Sequence, residues 1–186
     1  MISNDLLMQP TIRLYGKVDD RMLQSFLEQM SSAIDNGGPV LLELTTTGGD
    51  AETGRRIATD IILARERLGL DLSFLGKSVV YSAGISIMSG FPREKRHLTR
   101  DCMLLVHERR LDKTLELKGA MRGMRVLVED TLAEIESAIA MERVAFGYLV
   151  EGSSLGLYAL MQRIGESDWY IPGDEALQLG LVGSVI

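Results

Sequence analysis

The sequence is poor in cysteine and histidine, with one and two among its 186 residues. The single cysteine, Cys102, excludes a disulfide within the chain and so permits a reducing compartment, and we expect a cytoplasmic protein. Because zinc sites are usually built from several cysteines and histidines, no zinc site of those ligands is expected, and we predict no cofactor. Cys102 lies in an apolar run, where a cysteine is usually a small buried hydrophobe.

The sequence also lacks long apolar runs and an excess of positive charge. No run approaches the roughly 20 apolar residues that a membrane span needs, and the first ten residues do not resemble a signal peptide. The formal net charge of −6 makes a nucleic-acid partner unexpected. The short basic cluster at 93–96, interrupted by Glu94, is predicted to be a solvated loop. Length and composition fit one globular domain over residues 1–186.

Strand-like and helix-like segments alternate along the chain. Apolar, strand-like runs occur at 11–16, 40–44, 70–75, 78–81, 102–106 and 169–171, with another just before 99 and an apolar strand or tail at 181–186. Helical spacing occurs from about 20 to 36, at 51–68, from 83 to 90, at 155–164 and at 174–179. This alternation predicts an α/β domain with a largely parallel sheet, whose site lies at the carboxyl ends of the strands.

A long amphipathic helix is predicted at about 113–148, although Gly119 and Gly123 weaken the prediction at its start. Its apolar residues, spaced by three or four, are Leu117, Met121, Met124, Val128, Leu132, Ile135 and Ile139. A helix of this length overhangs a small sheet, so its apolar stripe needs a partner chain to cover it. The alternative is that the stripe folds back onto the chain's own core.

Ser82 lies between an apolar strand and a segment of small residues that can open a helix. A serine at such a turn is either the N-cap of the helix or a nucleophile whose hydroxyl is exposed beside helix amides. Gly84 and Ser86 begin like the nucleophile elbow G-x-S-x-G, but the last glycine is missing. We therefore interpret Ser86 and Ser89 as small packing residues.

A nucleophilic serine needs a base, and the chain has two histidines. His107 ends an apolar strand, where it is either a positioned base or a structural histidine bonded to the backbone. His97 lies among charged neighbours and is predicted to be in a solvated loop or hairpin. Asp168, just before a strand, is a candidate to orient the base. Asp101, Asp112 and Asp174 are alternatives, and an ordinary surface aspartate is possible for all four.

Gly48 and Gly49 follow a predicted strand and precede a helix. Glycines there allow close approach of a ligand to free helix amides, which suits a tetrahedral oxyanion. No G-K-[ST] follows, so a P-loop is excluded, and a plain turn is the alternative. Because Gly49, Ser82 and His107 each follow a predicted strand, they are expected at one edge of the sheet.

From about Ile12 to Val182 the chain resembles the proteolytic subunit of the Clp protease and its relatives. The resemblance is carried by I-R-L-Y-G-K-V-D-D, T-T-G-G-D-A-E-T-G, S-A-G-I-S-I-M-S-G, C-M-L-L-V-H-E and S-D-W-Y-I-P-G-D-E-A-L-Q-L-G-L-V, in that order. It implies a crotonase-like ββα superhelix and a serine endopeptidase that works through an acyl-enzyme. The implied catalytic residues are Ser82, His107 and Asp168, and the amides of Gly49 and Ala83 are the implied oxyanion hole.

The resemblance also implies partners. The long helix is the family's handle, which pairs subunits across two stacked rings, commonly heptameric, so a homo-oligomer is expected. The substrate is a peptide or unfolded protein, and an AAA+ unfoldase is a candidate partner. Thr47 departs from the family's usual proline, and Gly84 and Ile85 differ just behind the serine. The alternatives are a crotonase-type acyl-CoA enzyme and an inactive structural subunit of a mixed ring.

Overall fold

The computed structural model describes residues 2–186, and it has an α/β fold with a mostly parallel sheet, as predicted. In chain order the elements are α1 (Asn4–Met8), β1 (Ile12–Tyr15), α2 (Asp20–Asn36), β2 (Val40–Thr46), α3 (Ala51–Leu68), β3 (Leu72–Tyr81), α4 (Ala83–Ser89), β4 (Arg96–Leu98), β5 (Met103–Val106), α5 (Met121–Val150), α6 (Leu157–Glu166), β6 (Trp169–Pro172), α7 (Gly173–Gln178) and β7 (Ser184–Val185).

The strands of residues 2–186 form one sheet in the order β1-β2-β3-β4-β7, and β5 pairs with both β3 and β6. Every pairing is parallel except that of β5 with β6. The parallel strands β2, β3 and β5 therefore end at the same edge of the sheet.

The two strands predicted at 70–75 and 78–81 form one bent strand, β3. Residues 74–76 pair with β4, whereas residues 79–81 pair with β5. Ser78 between them has φ +58°, a left-handed conformation that turns the strand from one neighbour to the other. The bend brings the end of β3 beside the end of β5.

Helix α3 covers the predicted range because both of its ends carry strong signals. The carboxylate of Asp50 accepts a hydrogen bond from Thr53 N at 2.7 Å, which caps the first turn. Gly69 follows with φ +67° and ends the helix in the left-handed region. Ile57 and Ile61 are buried, whereas Leu68 is exposed because it lies in the last turn of the helix.

The core lies between the sheet and helices α2, α3 and α4, with α6 and the end of α5 adding to it. Its largest apolar side chains are Phe26, Phe74, Phe91, Ile12, Leu41, Leu42, Leu44, Ile57, Ile61, Leu72 and Leu75. Cys102 is buried as predicted, and burial raises the pKa of its thiol to about 12, so it is not a reactive nucleophile at neutral pH.

The prediction of a solvated loop at 93–96 is wrong for Arg96, which is 2% exposed. Its guanidinium donates to five main-chain carbonyls, those of Ser89, Phe91, Tyr148, Leu149 and Leu181. These carbonyls lie at or near the ends of α4 and α5 and in the segment after α7. Arg96 therefore ties together three parts of the chain, and burial lowers its pKa only to about 10, so it stays charged at neutral pH.

The long helix α5 begins at Met121 rather than near residue 113, and residues 107–120 form no regular element. Gly119 has φ +125°, which a right-handed helix does not allow. Most of the predicted apolar stripe is exposed, as shown by Met121, Val128, Leu132, Ile135 and Ile139. The alternative in which this stripe folds back onto the chain's own core is therefore wrong for 121–139.

The prediction for His97 is wrong. His97 is not in a loop or hairpin but lies half-buried in β4, where Nδ1 is 2.7 Å from Ser184 Oγ of β7. The helix predicted at 155–164 begins at Leu157, because Ser153 closes a turn onto Val150 O before it. The strand predicted at 169–171 is β6, which runs directly into α7.

Within residues 2–186, no helix combines the length and the apolar character needed to cross a bilayer.

Candidate active site

The ends of three parallel strands open onto one cavity of about 810 Å³. Gly49 follows β2, Ser82 follows β3 and His107 follows β5, and all three line this cavity. Loop 107–111 and helix α5 close its other side. The predicted convergence at the carboxyl edge of the sheet is therefore present.

Ser82 has a strained backbone, with φ +54° and ψ −115°. It precedes α4 at the N-cap position, but its hydroxyl caps no amide of the helix. Its amide continues the sheet by donating to Leu105 O at 2.9 Å. Such a conformation costs about 1–3 kcal/mol, and it exposes the hydroxyl at a sharp strand-to-helix turn. The helix-cap alternative is thus absent from the structure.

Gly48 allows the turn after β2 to pack against this serine. A Cβ on Gly48 would lie 2.7 Å from Ser82 Cβ, closer than side chains tolerate, and its φ is +99°. Gly49 is equally constrained, because a Cβ there would lie 2.3 Å from Val18 O. At both positions a side chain would clash with neighbouring atoms and the backbone has a positive φ, so both positions require glycine.

Thr46 holds the Gly48–Gly49 turn through its hydroxyl group. Its Oγ1 accepts a hydrogen bond from Gly48 N at 3.0 Å and donates one to Gly16 O at 2.6 Å. The exposed Thr47, where the sequence departs from the family, is not the residue that holds the turn. Sequence analysis missed Thr46, because a buried threonine at a strand end has no periodic signal.

Two residues that line the cavity have a main-chain amide without an acceptor. Among the hydrogen bonds of residues 2–186, none uses the amide N–H of Gly49 or of Ala83. Ala83 begins α4, so its amide is one of the free donors at the start of a helix. Gly48, the neighbour of Gly49, packs against Ser82, and Ala83 follows Ser82 directly in the chain. Both donors therefore belong to the surroundings of the serine and suit a developing negative charge.

His107 donates from Nδ1 to the carbonyl oxygen of Glu108 at 2.6 Å. Because a carbonyl only accepts, Nδ1 carries a proton, and in the neutral imidazole Nε2 is then the nitrogen without one. This is the tautomer that a general base requires. Within the described residues, Ser82 Oγ and His107 share no hydrogen bond.

Asp168 does not line the cavity and is bound to another residue. Arg110 Nη2 lies 2.7 Å from both of its carboxylate oxygens. The structure therefore brings Ser82, His107, Gly49 and Ala83 together and leaves Asp168 paired outside them. Asp101, Asp112 and Asp174 do not line the cavity either.

Charged side chains surround the cavity. Its carboxylates are Asp50, Glu52, Glu108, Glu134 and Glu142, and its guanidiniums are Arg55, Arg109 and Arg110. Hydrogen bonds from Arg109 and Arg55 hold the pKa of Glu52 below its usual range, although burial opposes them. Hydrogen bonding to Thr53 likewise lowers the pKa of Asp50. Sequence analysis missed Arg110 and Glu142, since each looks like an ordinary surface charge.

A family model described as Clp protease matches residues 1–186. The chain belongs to the Clp protease family. No curated protein sequence matches it. An Asn-to-Asp mutant of ClpP1 from Listeria monocytogenes has a similar structure, with a TM-score of 0.75 over 100% of this chain and 96% of that one. The two chains are 17% identical, so this likeness concerns the fold.

Clp proteases are serine-type peptidases, so family membership places the chain among the hydrolases. The ends of β2, β3 and β5 are then the part of this Clp protease fold that carries the candidate active site.

Proposed function

We propose that the chain is a serine endopeptidase that hydrolyses peptide bonds in peptides or unfolded proteins through an acyl-enzyme. One observation carries the proposal: the uncapped Ser82 hydroxyl, at a strained turn, lines one cavity with His107 and the amides of Gly49 and Ala83. A nucleophile, a base and two oxyanion donors are the groups that acyl transfer needs.

In this mechanism Ser82 Oγ attacks the carbonyl carbon of the scissile peptide, and His107 Nε2 accepts its proton. The oxyanion that forms is bound by the amides of Gly49 and Ala83. His107 then gives the proton to the leaving amine, and the acyl group remains on Ser82. A water, activated by the same imidazole, releases the acid product and restores Ser82.

Asp168 completes the proposed triad by changing partners. It leaves Arg110 and accepts a hydrogen bond from Nδ1–H of His107 in place of the Glu108 carbonyl. A carboxylate stabilises the imidazolium formed during catalysis far better than a neutral carbonyl does. Because Arg110 and Asp168 are 70% and 38% exposed, this pair contributes at most about 1 kcal/mol, so the exchange is accessible.

The exposed stripe on α5 supports assembly into a ring. Side chains such as Met121, Leu132 and Ile139 are 82%, 53% and 47% exposed in the single chain. Apolar surface of this kind is normally covered by another subunit. We propose a homo-oligomer of stacked rings, heptameric by family resemblance, in the cytoplasm, with an AAA+ unfoldase as a candidate partner.

A fluorophosphonate probe tests the proposal on the assembled protein. It should form one adduct at Ser82, and Ser82→Ala should lose both the adduct and peptide cleavage. Ser86→Ala, on the same helix one turn further along, should keep both. Cleavage by Ser82→Ala at the rate of the parent would show that another group is the nucleophile.

The inactive structural subunit is a second candidate, favoured by the Arg110–Asp168 pair and by the missing bond between Ser82 and His107. It predicts no adduct and no cleavage by the chain alone under any condition. A Ser82 adduct on the homogeneous protein would eliminate it.

A further inference from the structure

We propose that the cleft selects peptides with a lysine or arginine side chain next to the scissile bond, and that the Glu142 carboxylate receives that cation. The inference rests on the proposed peptidase function and names its substrate class. It follows from the position of Glu142, from the pairing of the charges around it and from the apolar surface beside it.

Glu142 is a buried carboxylate on the cavity side of α5. It is 6% exposed and lines the same cavity as Ser82 and His107. Its Oε2 accepts a hydrogen bond from Arg109 N at 2.5 Å, which fixes the side chain against the segment that follows His107. The carboxylate is therefore held in one place within the proposed cleft.

The second oxygen of Glu142 has no partner. Its Oε1 takes part in no hydrogen bond or ion pair of residues 2–186. Within that range, Thr99 Oγ1 is the only fully buried side-chain nitrogen or oxygen without a hydrogen bond. Glu142 Oε1 therefore borders open space, and the cavity is the space that Glu142 lines. An accessible oxygen without a partner, on a carboxylate whose residue is otherwise buried, favours a cationic ligand.

The positive charges of the cavity are already occupied. Arg55 and Arg109 both lie 2.6 Å from Glu52, and Arg110 is bound to Asp168. Glu108 and Glu142, in contrast, make no ion pair within residues 2–186. The charge available to a substrate in this cavity is therefore negative, so an acidic side chain is disfavoured.

The surface next to Glu142 is apolar. Ala138, Ala145 and Phe146 lie one turn away on the same helix and line the cavity, as does Ile85 from α4. A lysine or arginine has an aliphatic stem that packs on such a surface and a charged tip that extends beyond it. An uncharged side chain of the same length would fit the surface and leave Glu142 without a partner.

The experiment compares peptides that differ at one residue, which is lysine, norleucine or glutamate, placed in turn at P2, P1 and P1′. Norleucine has the stem of lysine without its charge. We measure kcat/KM for the assembled protein and for Glu142→Gln, which keeps an acceptor for Arg109 N. Binding of the same peptides to Ser82→Ala is measured by competition, so the inference is tested without turnover.

At one position lysine should be preferred to norleucine by about 10- to 100-fold, the value of a charge-assisted hydrogen bond, and glutamate should be disfavoured. Glu142→Gln should remove the preference, so that the lysine and norleucine peptides are cleaved with similar kcat/KM. Glu134→Gln, which removes an ion-paired carboxylate from the same helix, should keep it.

Equal use of lysine and norleucine, or a lysine preference that survives in Glu142→Gln, would overturn the inference while leaving the peptidase function intact. If no Ser82 adduct or cleavage is found, the proposed function fails, and the binding data still decide whether Glu142 receives a cation.

Discussion

Arg110 Nη2 lies 2.7 Å from both carboxylate oxygens of Asp168, and Asp168 shares no hydrogen bond with His107 within residues 2–186. The imidazole instead donates its Nδ1 proton to the Glu108 carbonyl. His107 therefore has the tautomer of a general base without the carboxylate that would stabilise its charged form. Under the proposed mechanism, Arg110 and His107 compete for one carboxylate.

Replacing Arg110 should increase activity. Arg110→Gln removes one competitor for Asp168, and an exposed ion pair is worth at most about 1 kcal/mol. We therefore expect kcat for a fluorogenic peptide to rise by up to about fivefold. High salt should produce a similar gain in the parent protein and none in Arg110→Gln.

Two further variants make this prediction specific. Lys113→Gln breaks an ion pair with Glu134 beside the same cavity and should leave kcat unchanged. Asp168→Asn should abolish the gain, since it removes the carboxylate for which the competition occurs. A fall in kcat for Arg110→Gln would mean that Arg110 assists the reaction.

The turn that carries the Gly49 amide should depend on Thr46. Thr46→Val keeps the shape of the side chain but leaves the buried Gly48 N without an acceptor, at a cost of about 1–3 kcal/mol. Because a small misplacement of an active-site group has a large effect on rate, kcat should fall about 10- to 100-fold. Urea unfolding and peptide kinetics measure the two effects separately.

Thr45→Val is the matched control for Thr46→Val. Thr45 Oγ1 donates to Lys77 O at 2.8 Å on the neighbouring strand, so its loss affects the sheet and not the turn. It should lower stability with little change in kcat. Equal kinetic loss in both variants would show that Thr46 has no special part in holding the turn.

The sequence predicts most of the fold because its strongest signals are local. Asp50 begins α3 by accepting a hydrogen bond from an amide in the first turn, and Gly69 ends the helix with its own left-handed backbone. The bend in β3 at Ser78 could not be predicted, since it depends on which strands lie beside each half. Arg96 was predicted in a solvated loop because it belongs to a short basic cluster. In the structure, carbonyls from distant segments of the chain surround it, and nothing in the cluster itself indicates this.

Like the fold, the candidate site could be predicted from the sequence only in part. Ser82 and His107 share a cavity because the ends of parallel strands meet at one edge, and that follows from topology. The partner of Asp168 depends on Arg110, in a segment without secondary structure, and therefore has no periodic signal. Glu142 looked like part of the polar face of α5, and only packing against residues 107–111 shows that it is buried.

Arg96 should be essential for stability. Arg96→Met fills much of the same volume but leaves the carbonyls of Phe91, Tyr148 and Leu149 without their donor. The free energy of unfolding should fall by about 2–5 kcal/mol, as measured by urea titration. Arg93→Met, which removes a half-exposed guanidinium bonded to Gly152 O, should cost about 1 kcal/mol or less. Similar losses would argue against a special role for the buried site.

The lysine preference of the cleft should increase with pH. Burial, with a further contribution from Glu108, raises the pKa of Glu142 above its ordinary value, and Arg109 and His107 oppose the shift. The Glu142 carboxylate binds a cation only when it is ionised. The kcat/KM of the lysine peptide, divided by that of the norleucine peptide, should therefore rise as the pH passes through the pKa of Glu142 in the folded state. The pH dependence of kcat/KM for the norleucine peptide is the reference that corrects for the titration of other groups.

Stability should change in the opposite direction. Below the ordinary pKa of a glutamate, Glu142 is protonated in both the folded and the unfolded state, so its burial does not lower the free energy of unfolding through ionisation. As pH rises, the unfolded chain ionises first, and the folded state loses relative stability up to the raised pKa. Glu142→Gln should therefore gain stability relative to the parent as the pH rises above the ordinary pKa of a glutamate, measured by urea titration from acid to neutral pH. A difference independent of pH would mean that the carboxylate titrates normally, and the electrostatic account of the cleft would then lose its basis.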